Sequence, residues 1–380
     1  MSEVIQLLDQ LVRIDSINPD LVPGGAGEGE VAAFIERWFN ENGFEVIVQE
    51  AAPKRPNVIG IARGAGGGRN LMFNGHTDVV GLNGMTDAFT PRIERNRMYG
   101  RGAYDMKAGV AAAMIAAKRA KSMNLRGDVV VACVVDEEVA SIGTEEVVRE
   151  LQRFKPEAAI VCEPTEMELC VAHRGFTWLE IETFGKAAHG SRPRDGIDAV
   201  TKMGKVLSEL EKLDLRLRAN PTHELLGSGS LHASTIQGGQ DWSSYPAQCK
   251  LQVERRTLPG ETSEFVIRQM RDILDGLSVI DPDFKAEVKH IFSRFPLQAN
   301  ENDEIVQLTR EHTKRVTNKS PNTVGAAFWT DAALLANAGV SSFLFGPHGE
   351  GAHAAIEWVD LDTVEQCVEI YTSVAAEFCK

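Results

Sequence analysis

The sequence predicts an α/β protein of two domains, a mixed, mostly parallel-sheet domain interrupted by an inserted βαββαβ domain of ferredoxin-like order. Three observations carry this. Helical and strand periodicities alternate from residue 1 to about 175 and resume after Phe295. Between about Trp178 and Phe292 the order changes to strand, helix, strand, strand, helix, strand. Finally, 380 residues exceed what one core of about 150 residues accommodates.

Each element has a local reason. Val4, Leu7, Leu8, Leu11 and Val12 recur at helical spacing and mark a first helix. Val31 to Phe39 mark a second, stopped by Gly43 in a C-cap role. FEVIVQE alternates like a half-buried strand, while NVIGIAR and NLMFNG are short apolar runs joined by the Gly-rich turn GAGGGR. An Ala-rich helix from about Met106 to Met123 leads to the strand DVVVACVV, a helix near Thr144 to Phe154 and the strand AAIVC. Strands separated by helices imply parallel pairing. In the insert, the strand WLEIETF precedes a helix over Ile197 to Leu213, the strands SLHASTI and CKLQVERRTL, a helix over Glu264 to Leu277 and the strand FKAEVKHIF. A helix near Glu304 to Val316, the strand SSFLFG and a closing helix after Asp362 complete the chain, with Asp362 and Glu365 as the expected capping pair. The expected domains are therefore 1–177 with 291–380, and 178–290.

Composition narrows the function. The 40 Lys and Arg against 54 Asp and Glu give a net charge of -14, an acidic surface that repels polyphosphate, so nucleic acid is not an expected partner. No stretch approaches the roughly 18 uninterrupted apolar residues of a membrane span, so no membrane is expected either. MSEVIQLLDQL reads as an amphipathic helix rather than a signal peptide. Cysteines 133, 162, 170, 249, 367 and 379 form no C-x-x-C pair and read as reduced core residues, which excludes a thiolate zinc ribbon and favours the cytoplasm. There is no H-E-x-x-H, G-x-S-x-G or Walker A motif. Gly27, Gly29 and Ala32 fit G-x-G-x-x-A but follow no predicted strand, so no nucleotide cofactor is implied.

The chemistry lies at the strand ends. NLMFNG runs into His76, Thr77 and Asp78; DVVVACVV into Asp136, Glu137 and Glu138; AAIVC into Glu163; SSFLFG leads to His348, Glu350 and His353. In open α/β sheets ligands bind beyond the carboxyl ends of strands, so these groups are expected to converge. Several carboxylates in one cleft repel, and two divalent cations would neutralise them and acidify a bound water.

The segments NGHTDVV, YGRGAYDMKAG, VVDEEVASIGTEE, VCEPT and GAHAAIEWV, in that order, resemble the M20 metallopeptidase family, in particular its acetylornithine deacetylase and succinyl-diaminopimelate desuccinylase branch. The resemblance implies a phosphorylase/hydrolase-like catalytic domain, with the insert as a lid and dimerisation domain. It implies His76 and Glu163 on one Zn²⁺, Glu138 and His353 on the other, and Asp105 bridging, with Co²⁺ or Mn²⁺ as substitutes. Asp78 resembles the carboxylate that orients a ligand imidazole, and Glu137 the general base. His189 in GKAAHGSRP resembles the histidine that stabilises the developing oxyanion, often across a dimer interface. Arg256 in VERRTLPGE resembles the arginine that binds a substrate carboxylate. Arg255 competes with it, although neighbours on a strand point to opposite faces.

Two departures stand out: Ser243 occupies the offset where relatives carry Asn before the lid Pro, and Trp329 stands where Gly is common. Among the other histidines, His223, His290 and His312 are expected on the surface or lid, His232 on a lid strand and His173 at the domain junction, and His353 is preferred to His348 as the ligand. The implied activity is a dizinc amidohydrolase acting on N-acyl-L-amino acids through a metal-activated water. A dipeptidase or carboxypeptidase of the same family is the alternative, and a non-catalytic metal-binding protein the second. A homodimer acting on a small-molecule substrate is expected.

Overall fold

The structure, a computed structural model, describes all 380 residues, Met1–Lys380, as two compact units. The first comprises Met1–Val171, Ala299–Val324 and Thr330–Lys380; the second comprises Ala172–Gln298 and Gly325–Trp329. These bounds differ from the expected 178 and 290. The last insert strand continues to Arg294, and a short segment, Gly325–Trp329, returns to the second unit after the first has resumed. Hydrophobic periodicity does not report such a crossing.

In the first unit a mixed sheet has the order Glu45–Ala52, Arg55–Ala62, Val129–Val134, Asn70–His76, Pro156–Val161, Ser341–Leu344, Leu169–His173. The four strands from Val129–Val134 to Ser341–Leu344 are parallel, and the flanking pairs are antiparallel. Val129–Val134 is buried at every position, as its unbroken apolar run requires of a strand covered on both faces. The Ala-rich helix Lys107–Lys121 packs on Val129–Val134 and Asn70–His76, and its small side chains permit close approach. At Gly109 an added Cβ would stand 2.9 Å from the carbonyl carbon and the Cβ of Cys162. Parallel pairing then aligns the strand ends, with His76 opposite Val134 and Asn74 opposite Val161.

A smaller antiparallel sheet joins distant segments in the order Gly349–Glu350, Trp358–Asp360, Arg97–Tyr99, Arg92–Glu94. It carries no clear periodicity because its strands are two or three residues long. The predicted helix over Thr144 to Phe154 is two pieces, Ile142–Arg149 and Leu151–Phe154. The closing helix is Leu361–Phe378, and Asp360 caps it by accepting the Thr363 N–H, so the expected Asp362–Glu365 pair is displaced by an earlier residue.

The second unit follows the predicted βαββαβ order. Its antiparallel sheet runs Ser230–Gly238, Gln248–Thr257, Gly175–Phe184, Lys285–Arg294. Helices Ala199–Ala219 and Ser263–Ile280 cover one face, their Val206 and Met270 sharing a core with Leu179, Ile181, Leu251 and Val253 of the sheet. Asp198 and Thr262 cap these helices. All six cysteines are buried and none forms a disulfide.

Gly109→Ala tests the close helix-to-strand contact. Overpacking there should lower stability by about 1–3 kcal/mol, measured by denaturant unfolding. An unchanged midpoint would show that the helix sits further from the strand.

Candidate metal centre

The parallel strands bring together three ends that carry candidate ligands. His76 ends the middle strand; Glu137 and Glu138 follow Val129–Val134 on one side, and Glu163 follows Pro156–Val161 on the other. Asp105 precedes the helix Lys107–Lys121, and His353 lies in the loop between two strands of the small sheet. Because that sheet pairs Arg97–Tyr99 with Trp358–Asp360, the loops carrying Asp105 and His353 become neighbours.

Asp105 divides its carboxylate between two imidazoles. Its Oδ1 is 3.2 Å from His76 Nε2, and its Oδ2 is 3.4 Å from His353 Nε2. His353 Nε2 also meets Glu138 Oε2 at 2.9 Å, while His76 Nε2 lies 3.7 Å from Glu163 Oε1 and 4.0 Å from Glu137 Oε2. Two groups have donor spacing suited to a metal: His76, Asp105 and Glu138, and His76, Glu137 and Glu163. The buried Oε1 of Glu138 has no hydrogen-bond partner, nor has Oδ1 of the neighbouring Asp331. Imidazole nitrogens, several carboxylates and orphaned buried oxygens together fit a pair of divalent cations such as Zn²⁺. His348 instead pairs with Glu166, which also accepts from Tyr104, so His353 is the histidine at the carboxylates.

Supporting groups fix these donors. His76 Nδ1 donates to the backbone carbonyl of Asp78 at 2.9 Å, which turns Nε2 toward the cluster. The Asp78 carboxylate is 3.6 Å from the same ring nitrogen and accepts the backbone N–H groups of Glu137 and Glu138, each at 3.2 Å. On the other side, buried Glu357 accepts the N–H of Tyr104 at 3.0 Å and of Asp105 at 3.2 Å, and pairs with buried Arg101 at 2.7 Å. Arg101 also holds the carbonyls of Leu82 and Ala354. Sequence reasoning noted the Thr330–Asp331 pair without a role and missed Glu357 and Arg101. Both lie within a motif segment, and a charged residue inside an apolar run such as AAIEWV was the available signal.

The two expected residues of the second unit have clear local settings there. His189 is on an exposed loop, with Nδ1 2.8 Å from Ser191 Oγ. Arg256 is part-exposed, donates to Glu254 at 2.8 Å and lies over the Phe176 ring. Arg255 is fully buried and bound to Glu261 at 2.6 Å, so strand alternation leaves Arg256 as the accessible one of the two. Ser243 is exposed, and Trp329 packs edge-on to His173 and donates to the Phe295 carbonyl. His312 corrects the expectation of a surface or lid position. It is buried on the helix Glu304–Thr317 of the first unit and bonded to Glu377 at 3.0 Å, because its position shares the apolar face with Ile305 and Leu308.

The gathered charges shift one another. Burial opposes the His76 imidazolium, but the bond to Asp105 and the charges of Glu163, Asp78 and Glu137 outweigh it and raise its pKa well above the ordinary value. Asp105 and Glu138 raise His353 to about 10. Burial, reinforced by like charges, raises Glu137, Glu138 and Glu163, and burial takes Asp331 to about 6. The exception is Asp105: despite burial, both imidazoles lower it.

A raised folded-state pKa contributes stability that is complete below the unfolded value and lost as pH climbs through the folded one. For the glutamates that loss starts near their ordinary value of 4.5, and for His353 it continues to about 10. The downward shift of Asp105 acts only at acid pH. Chelator-treated protein should therefore melt at a lower temperature at about pH 9 than at about pH 6, and Zn²⁺ should restore more stability at the higher pH, where its ligands are deprotonated. A flat or rising profile in chelator would contradict this packing of charges.

Comparison with known proteins agrees with the geometry. Acetylornithine deacetylase of Myxococcus xanthus is 29% identical over 382 residues, covering 98% of this chain and 96% of its own. Succinyl-diaminopimelate desuccinylase of a Nitratiruptor species is 28% identical over 392 residues, covering 99% of this chain and 100% of its own. The crystal structure of aminopeptidase PepT from Bacillus cereus ATCC 10987 superposes with a TM-score of 0.79, covering 99% of this chain and 98% of that one at 19% identity, a likeness of fold. The profile of peptidase family M20/M25/M40 matches residues 72–377, the span that carries every donor described above. The chain therefore belongs to peptidase family M20/M25/M40 and is a metal-dependent hydrolase.

Proposed function

We propose that this hydrolase removes the acyl group from the nitrogen of N-acyl-L-amino acids. The observation that carries the reading is Asp105 shared between two imidazoles, with the Glu137 carboxyl on the same cluster. The names of the two relatives, a deacetylase of acetylornithine and a desuccinylase of succinyl-diaminopimelate, support the substrate class. His76 and Glu163 would hold one divalent cation, Glu138 and His353 the other, and Asp105 both. When bound, such cations polarise a carbonyl and acidify a water.

The remaining steps belong to the chain. Glu137 takes a proton from the attacking water as its oxygen bonds to the acyl carbon, then delivers it to the amine nitrogen as the C–N bond breaks. Burial and the negative charge of Glu163 raise its proton affinity, which suits a group that must both accept and return a proton. Asp78 holds the backbone of Glu137 and the ring of His76 through its own carboxylate and carbonyl. In this reading Arg256 pairs with the substrate carboxylate, and His189 stabilises the oxyanion. The protein acts as a homodimer joined through the second unit, a reading supported by the exposed edge strand Ser230–Gly238, paired on one side only.

Primary-amine release should be measured with Zn²⁺-loaded protein on N-acetyl, N-succinyl and longer N-acyl amino acids alongside dipeptides. Release confined to the acyl-amino acids is expected; release from dipeptides alone would replace the deacylase reading with the peptidase one. Glu137→Gln should lower kcat by about 10²–10⁴ while two metal ions per chain remain bound. Persistent turnover would remove Glu137 as the base.

A further inference from the structure

The N-terminal segment supplies no candidate ligand, yet it is bonded into the centre. Ser16–Asn18 runs beside Thr77–Val79: Ile17 bridges Val79 in parallel, Asn18 N donates to Val79 O at 2.9 Å, Val79 N donates to Ser16 O at 3.0 Å, and Ser16 Oγ donates to Thr77 O at 2.7 Å. This places the fully buried side chain of Asn18 between two buried carboxylates. Its Nδ2 donates to Asp78 Oδ2 at 2.8 Å and to Asp136 Oδ1 at 3.0 Å. The orientation of the amide is set by its other end, where Oδ1 accepts the N–H groups of Asp20 at 3.0 Å and Leu21 at 3.4 Å. A flipped amide would aim oxygen at two carboxylates and NH₂ at two donors.

Both aspartates act on one turn. Asp78 accepts the N–H groups of Glu137 and Glu138. Asp136 precedes them with a φ of 70°, a left-handed conformation disfavoured for a residue with a Cβ. Its carbonyl accepts the N–H groups of Ala140 at 3.1 Å and Ser141 at 2.5 Å and closes the turn. Arg55 Nη1 donates to Asp136 Oδ1 at 2.8 Å, while its Nε and Nη2 engage both oxygens of Glu28, the former at 2.9 Å. Glu28 is fully buried, and Arg55 and Asp136 nearly so.

We propose that Asn18, backed by the Arg55–Glu28 pair, is a positioning residue that holds the Asp136–Ser141 turn and thereby sets where the carboxylates of Glu137 and Glu138 stand. One NH₂ group ties together two like-charged side chains that would otherwise repel, and each of these aspartates orders part of the same turn, Asp78 through its carboxylate and Asp136 through its carbonyl. The inference rests on the reading of Glu137 as base and Glu138 as ligand given above.

The test is Asn18→Ala in the full chain, a change that leaves the Arg55 pairs and the backbone bridge at Ile17 in place. In folded, metal-replete protein kcat should fall about 10–100-fold with KM nearly unchanged, and Zn²⁺ affinity by calorimetry should fall by a similar factor. In metal-free protein, amide exchange should quicken across residues 137–142 and stay unchanged in the second unit. Asn18→Asp, the same shape with a third carboxylate, should be worse on each measure. Arg55→Lys, which keeps the charge and loses the fork on Glu28, should fall between wild type and Asn18→Ala. A merely structural role would lower the melting temperature and leave kcat and Zn²⁺ affinity of the folded fraction unchanged, and that result would overturn the proposal. If Asn18→Ala does not accumulate folded, Asn18→Ser is read by the same criteria. The exchange and affinity measurements need no substrate, so an inactive wild type would remove the proposed function and still decide the role of Asn18.

Discussion

A surplus of buried negative charge is the constraint on which this structure depends. Asp105, Glu137, Glu138 and Glu163 meet around two imidazoles, and the charge of buried Asp331 adds to their repulsion. Buried carboxylates are tolerated only when paired, coordinated or protonated. Upward shifts at Glu137, Glu138 and Glu163 show that burial and like charge disfavour their ionised forms, and divalent cations would offset that cost by coordination. Stability and catalysis thus share one electrostatic origin. The arrangement that leaves the metal-free cluster unfavourable is the one whose donors fit a metal pair.

Because the cluster resists assembly, its backbone is held by full-strength ion pairs placed one layer out. Arg101 and Glu357 anchor the loops of Asp105 and His353, and Arg55 with Glu28 anchors the turn of Glu137 and Glu138. Each pair is buried, and Arg101, Glu357 and Arg55 also meet backbone groups or further side chains, as buried charge requires. The gain is geometric precision: a carboxylate that accepts two backbone N–H groups, as Asp78 and Glu357 do, fixes the chain where ligands leave it.

Much of this was legible beforehand. The apolar runs NLMFNG, DVVVACVV and AAIVC revealed the strands, and what followed each run revealed His76, Glu137, Glu138 and Glu163. Adjacent motif segments supplied Asp105 and His353. Other features were hidden for identifiable reasons. The strands of the small sheet are too short to carry periodicity, and the return of Gly325–Trp329 to the second unit leaves no pattern. His312 looked like a solitary surface residue, but helix phase turned it inward. Asn18, Arg55 and Glu28 stand far apart in sequence from the turn they hold and resemble ordinary loop or surface residues until the fold brings them together.

The sequence by itself determined the α/β class, the βαββαβ order of the insert, the family and the residue types of the centre, because periodicity and local motifs are encoded within a few residues of one another. Only the tertiary structure decided which strands lie side by side, that Asp105 splits its oxygens between His76 and His353, that Arg255 is buried while Arg256 is accessible, and that Asn18 ties Asp78 to Asp136. Most of those facts depend on hydrogen bonds and ion pairs between residues tens to hundreds of positions apart. Such bonds are set by the direction in which each side chain leaves a folded backbone, and that direction exists only once the sheet and its crossovers have formed.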